Sequence, residues 1–208
     1  MHARITQLRV PAERVDDAIA SFKDEVIPVA EKVAGFMGAV LLVDRESGAA
    51  AGITQWDSEE SMRASEKAGE EMRAKAAQSS GGTVTDVSRY ENVLMERFGA
   101  PRAGTFVRVT RGEAGEGKLD GLIEAVSGEA LEAIKGAKGV LALIMGVDRG
   151  SRRFVISSVF DTAADREASM GVIKEIRERS FAAAQVKDVE TLLFESAVVD
   201  MRIPAASS

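Results

Sequence analysis

Cysteine is absent from this 208-residue chain, which excludes disulfides, thiolate metal ligands and a thiol nucleophile at once. Histidine, tryptophan and tyrosine occur once each, as His2, Trp56 and Tyr90, so an imidazole, an indole or a phenol has one candidate apiece. No apolar run approaches the roughly 18 residues that a membrane-spanning helix needs, and no membrane partner is expected. The opening Met1-His2-Ala3-Arg4-Ile5 leads straight into an alternating segment. It lacks the apolar stretch and small-residue cleavage site of an export signal, so a cytoplasmic location is the default expectation. Basic residues are outnumbered, 27 Lys and Arg against 33 Asp and Glu, and no basic tract stands out. A net charge of −6 argues against a nucleic-acid partner, because phosphate binding draws on clustered Lys and Arg.

What is present is ordinary globular material, 45% hydrophobic and 29% charged, enough for a sizeable core. The length admits one large domain or two of about 100 residues each. Sliding the chain against itself by about 104 residues decides for two. Gly35 falls on Gly139, Val43-Asp44-Arg45 on Val147-Asp148-Arg149, Asp57 on Asp161, Ala64-Ser65 on Ala168-Ser169, and Glu91 on Glu195. The identities are modest in number, but the expected elements coincide as well.

Each half reads strand, helix, strand, strand, helix, strand. In the first, 3–10 is a short strand, and Val15, Ala18, Ile19, Phe22 and Val26 recur at helical spacing. Pro28 is expected to kink or end that helix, since it donates no amide and clashes with the preceding turn. Strands follow at 36–43 and 51–56, joined by a turn at 45–48. Ser58 caps a second helix with Glu59 and Glu60 in its first turn, and 84–95 closes the unit. The second half repeats this at 106–111, 119–134, 140–147, 154–160, 163–183 and 189–199, with Thr162 and Asp165 as its cap. The expected organisation is a first repeat at 1–97, a linker at 98–104, a second repeat at 105–200 and a disordered tail at 201–208. A βαββαβ unit carries helices on one face of its sheet only. The expected fold is therefore α+β, two ferredoxin-like βαββαβ repeats whose bare faces meet as an intramolecular α+β barrel.

Gly35-Phe36-Met37-Gly38-Ala39-Val40-Leu41-Leu42, followed by Trp56-Asp57-Ser58-Glu59-Glu60-Ser61-Met62, resembles the antibiotic biosynthesis monooxygenase (ABM) domain of the dimeric α+β barrel superfamily, here in tandem duplication. The second half is less similar, with Val140 for Phe36 and Phe160 for Trp56. The resemblance implies a ligand pocket between the sheet and helices of a unit. It also implies a small apolar or aromatic ligand, polycyclic in some members, and oxygenation without a cofactor, a substrate carbanion reacting directly with dioxygen. Of the Asn, Trp and His that the family's best-known catalytic set uses, only Trp56 has a match. Gly52 stands where the Asn is often found, and the second helix, where haem-degrading relatives carry a His, has none. No metal, haem or other cofactor is expected, and no catalytic set is assigned. A non-catalytic ligand-binding or protein-interaction barrel is the rival reading, and a homodimer of the fused pair is a reasonable further association.

Candidates for the pocket are Trp56, Tyr90, His2, Met62 and Phe36: Trp56 as a stacking wall, Tyr90 as a hydroxyl that its counterpart Phe194 lacks, His2 as a proton acceptor at the mouth. Arg4 and Arg108 with Glu91 and Glu195 are read as structural charge pairs, formed across neighbouring strands in the barrel interior. Residues 112–118 have the spacing of a phosphate loop, yet Leu119 replaces the magnesium-holding Ser or Thr, and a flexible connection is expected.

Overall fold

The fold is that of a computed structural model, which describes residues 1–202. The expected tail at 201–208 therefore falls mostly outside the described residues; Met201 still belongs to the last strand. The element order is β1 (His2–Arg9), α1 (15–30), β2 (Phe36–Val43), β3 (Ala49–Trp56), α2 (Glu59–Ala64), α3 (Glu66–Ser80) and β4 (Thr83–Arg97). It continues with β5 (Phe106–Glu113), α4 (119–135), β6 (Val140–Asp148), β7 (Arg153–Phe160), α5 (Ala163–Ala183) and β8 (Lys187–Met201). The strands are hydrogen-bonded in one closed order, β1-β3-β2-β8-β5-β7-β6-β4, so the α+β barrel read from the sequence is the fold of the chain.

Packing divides the residues into two units. The first holds Met1–Glu91 together with the chain from Glu195 onward, and the second holds Asn92–Phe194. The boundary thus cuts through β4 and β8, each 15 residues long. In the first unit, β3 lies between β1 and β2, and β4 runs on the other side of β1. The end of β8 pairs antiparallel with β2, from Gly38 opposite Met201 to Val43 opposite Glu195. Its core joins Val15, Phe22 and Ile27 of α1 to Ala39, Leu41, Val43, Ala50 and Val198 on the helix side of the sheet. In the second unit β7 lies between β5 and β6, and the core gathers Leu122, Val126, Ile134, Met145, Phe154 and Phe160.

Local chemistry explains the joints. Ser58 Oγ accepts from the Ser61 amide at 3.1 Å and Thr162 Oγ1 from the Asp165 amide at 3.1 Å, as the cap residues foretold. Gly35 and Gly139 sit at φ +83° and +69°, left-handed backbone where a side chain is strained. Their carbonyls accept from the amides of Asp57 and Asp161 at 2.9 and 2.8 Å, tying each helix-to-strand turn to the end of the neighbouring strand.

Two expectations need correction. Helix α1 does not stop at Pro28; it runs Val15–Ser21, a π-helical turn Phe22–Val26, then Ile27–Ala30. Helix α4 has the same wide turn at Val126–Ala130, although Glu132 stands in place of Pro28, so the turn belongs to the repeat and the proline merely follows it. The loop at 112–118 is not loose either: the amides of Ala114, Gly115 and Lys118 donate to Arg152, Ala184 and Gly115 at 3.0, 2.9 and 3.0 Å, so they are spent on the fold. Among the described residues, no helix is long and apolar enough to cross a membrane, and no group of three or more His, Cys, Asp or Glu could hold a metal.

Candidate functional site

Side chains alternate across a strand, and the first unit uses that alternation to make a cavity. Arg4, Thr6 and Leu8 of β1 and Gly52 and Thr54 of β3 share the helix-side face, with Arg4 paired to Thr54 and Thr6 to Gly52. Above them lie Phe22 and Val26 of α1 and Gly69, Met72 and Arg73 of α3. With their neighbours these residues line a partly open cavity of about 70 Å³, apolar apart from the guanidiniums and a few hydroxyls.

Two glycines shape its wall. A Cβ on Gly52 would lie 3.1 Å from the Phe22 ring, and one on Gly69 would lie 3.0 Å from the guanidinium tips of both Arg4 and Arg73. The repeat replaces both: Ile156 matches Gly52 and Ile173 matches Gly69, and both isoleucines pack against the core of the second unit. Phe22, which leans over Gly52, is matched by the smaller Val126.

The second departure is electrostatic. Arg4, 4% exposed, donates from Nη2 to the Met62 carbonyl and to Glu66 Oε2 at 3.1 Å. Arg73 reaches Glu66 Oε1 at 2.9 Å and Arg89 reaches Oε2 at 2.7 Å, so three guanidiniums share one carboxylate. Burial alone would push the Glu66 carboxyl up, but hydrogen bonds and charge from Arg89, Arg4 and Arg73 outweigh it and hold the group below its ordinary range. Burial pulls Arg4 down from its usual value, with Glu66 opposing that and Arg73 and Arg89 adding to it.

Met170 stands where Glu66 does in the repeat. Arg108, 2% exposed, accordingly bonds to Ser169 Oγ and the Met170 sulfur, and burial together with Arg177 and Arg166 lowers its pKa to about 10.

Glu66 supplies a pH test. A carboxyl held low in the folded chain stabilises it above the ordinary value of 4.5, and that contribution is lost as the pH falls through the lower, folded value. Thermal unfolding followed from about pH 6 to about pH 3 should therefore fall more steeply for the natural chain than for Glu66→Gln. Equal slopes would mean that Glu66 gains nothing from its three neighbours.

The residues named from the sequence are only partly brought together. Trp56 shares the face of Thr54 and donates from Nε1 to Thr54 Oγ1 at 3.1 Å. It is 1% exposed and lies behind the cavity wall, with Phe36 edge-on at 5.5 Å and the Arg4 guanidinium over its ring at 5.9 Å. Met62 is buried and enters through its backbone carbonyl, the acceptor for Arg4. His2 lies opposite Trp56 on one side and Glu91 on the other, its Nδ1 buried without a hydrogen-bond partner among the described residues. Tyr90 is paired with Ala3, which places it on the sheet face opposite to that of Arg4.

The charge pairs are corrected. Arg4 lies opposite Arg89, not Glu91, and it faces the helices, not a barrel interior; its carboxylate is Glu66. Glu195 lies 3.7 Å from Arg45 Nε, and Arg108 turns to α5 instead of to a strand carboxylate. Glu66, Arg73, Gly52 and Gly69 went unread as site residues. Comparing the halves for what differs, Glu66 against Met170 and each glycine against an isoleucine, picks them out.

Fold and cavity define a class: an α+β barrel protein of two fused ferredoxin-like units, with a polar-tipped apolar cavity on the helix side of the first. The chain belongs to the antibiotic biosynthesis monooxygenase family, whose profile matches residues 1–77. An uncharacterized protein of Mycobacterium tuberculosis (strain H37Rv), Rv2557, is 30% identical over 204 residues, covering 98% of this chain and 91% of the relative. A second from the same strain, Rv2558, is 27% identical over 205 residues, covering 98% and 86%. Among solved structures, an anthrone oxidase-like protein superposes with a TM-score of 0.70 at 16% identity, over 100% of this chain and 97% of that one. A Fusobacterium nucleatum protein provisionally assigned as a monooxygenase superposes with a TM-score of 0.75 at 10% identity, over 97% and 94%. At such identities the likeness is one of fold alone.

Proposed function

We propose that the first unit binds a small, largely apolar molecule in its helix-side cavity, and that the second unit serves as the built-in partner that completes the fold. The observation that carries this is an apolar space on the helix side of the first sheet, with Arg4 and Arg73 at its edge and Gly69 leaving helix backbone bare where Ile173 stands in the repeat. An apolar enclosure with a few convergent polar groups is the usual form of a small-molecule site. The space of about 70 Å³ is smaller than the roughly 150 Å³ that holds one benzene ring, so a one-ring body would reach out through its open side and fused rings fit less well.

The chemistry that family membership suggests is oxygenation without a cofactor. The substrate loses a proton, its carbanion or phenolate reduces dioxygen, one oxygen stays as a carbonyl and the other leaves as water. The protein's share is to exclude water and orient the substrate. Binding without turnover is the second reading. It is favoured by the wall itself, where Arg4, Thr6, Thr54, Arg73 and Ser80 supply the polar atoms and no His, Asp, Glu or Tyr stands ready to take a proton.

Oxygen uptake separates the two. With a panel of one-ring phenols and dihydroxynaphthalenes, an oxygenase consumes dioxygen in proportion to substrate, and the Phe22→Val/Gly52→Ile variant does not. Binding of panel members with no uptake from any of them would sink the oxygenase and leave the binding protein.

A further inference from the structure

We propose, resting on the cavity reading above, that the molecule held there is a monoanion, a small carboxylic acid with an apolar one-ring or branched body, whose carboxylate docks on Arg4 and Arg73. Three observations converge on this. Arg4 lines the cavity and both of its hydrogen bonds leave from Nη2, which leaves the Nη1 tip without one among the described residues. A donor left unmade beside an apolar space is satisfied by a ligand oxygen at that tip.

The charge balance points the same way. Arg4, Arg73 and Arg89 meet the single carboxylate of Glu66, so the cluster holds an excess of positive charge beside an apolar space. The second unit keeps arginines at two of those positions, Arg108 and Arg177, but has lost both the opening glycines and the glutamate. The excess of positive charge is thus common to both halves, and the space left beside it is what sets the first apart.

Gly69 marks where the two arginine tips meet. The point where its Cβ would be lies 3.0 Å from Nη1 of Arg4 and 3.0 Å from Nη1 of Arg73. Two guanidinium tips thus converge over bare helix backbone, the arrangement a planar two-oxygen acceptor matches. Leu8, Phe22, Val26, Leu41 and Met72 surround the rest of the space and leave room for an apolar body with no second charge.

Titration calorimetry on the full chain tests this with benzoate and its neutral isostere benzamide. Benzoate should bind about tenfold tighter or more, the margin expected for charge-assisted hydrogen bonds in a buried site. Arg73→Gln should remove most of that margin by weakening benzoate far more than benzamide, and Arg73→Lys should restore part of it. Gly69→Ala, which crowds both guanidinium tips without removing either, should weaken benzoate more than benzamide.

Equal affinity for the two compounds would overturn the anion proposal and leave the cavity reading standing. A benzoate preference that survives both Arg73→Gln and Gly69→Ala would also overturn it, since the anion would then dock elsewhere. Absence of binding by either compound would overturn the cavity reading together with the proposal. The unfolding midpoint of each variant, measured alongside, shows that a lost affinity is not a lost fold.

Discussion

Trp56→Ala is expected to destabilise the first unit by about 3–5 kcal/mol, the range for truncating a fully buried large aromatic. The indole is 1% exposed and meets a different partner on each side. Phe36 packs edge-on at 5.5 Å, the Arg4 guanidinium lies over the ring at 5.9 Å, and Nε1 donates to Thr54 Oγ1 at 3.1 Å. Two of those partners, Arg4 and Thr54, also form the cavity wall. Alanine would therefore open a void behind the site and release the side chains in front of it. Loss of binding in that variant would report collapse of the wall and nothing about chemistry at the indole. Trp56→Phe is the sharper comparison, because Phe160 fills the matching position under Arg108, 5.5 Å from its guanidinium. It should cost a fraction of the alanine penalty and keep binding. Denaturant unfolding read by far-ultraviolet circular dichroism measures both; a Trp56→Ala penalty under about 1 kcal/mol would take the ring out of the core.

Gly52→Ile is expected to cost about 1–3 kcal/mol on its own, because overpacking forces side chains off their preferred rotamers. The first added atom would already lie 3.1 Å from Phe22, and three more follow it. Phe22→Val alone costs stability for the opposite reason, leaving a larger void. Combined, the two changes install the packing of Ile156 and Val126, which the second unit tolerates within the same fold. The double variant should recover about 1 kcal/mol or more relative to the sum of the singles, a coupling expected of side chains in contact. It should also have lost the ligand. Additive penalties would mean that the two positions do not share the space. A double variant that binds as the natural chain does would move the site elsewhere.

The sequence displayed the architecture because the architecture rests on periodicity. Short β-forming and apolar runs bounded by turn residues gave the strands, spacing of three and four gave α1, and Ser58 and Thr162 announced the caps that the structure contains. The wide turns Phe22–Val26 and Val126–Ala130 are marked only by a spacing of five, as between the core residues Phe22 and Ile27, which a search for spacings of three and four passes over. The site was harder to read for a related reason. Arg4 and Glu91 share a sheet face and invited a cross-strand pair, but register placed Arg89 opposite Arg4 and a helix brought Glu66 within reach. Contacts across layers leave no spacing in the chain. Attention to rare aromatics also favoured Trp56 and Tyr90, one behind the wall and one on the other face, over glycines whose role is to be small.

The divided strands β4 and β8 set an order of assembly. Strand β2 leaves the ribosome about 150 residues before Glu195–Met201, the segment that pairs with it. At roughly 5–20 residues per second, that edge waits on the order of 10–30 s with its backbone donors and acceptors unpaired. An unpaired edge is a template for any other strand, including the same segment of a neighbouring nascent chain. The first half of the protein is thus made first and finished last, and the cavity it carries rests on a sheet that only the final strand completes.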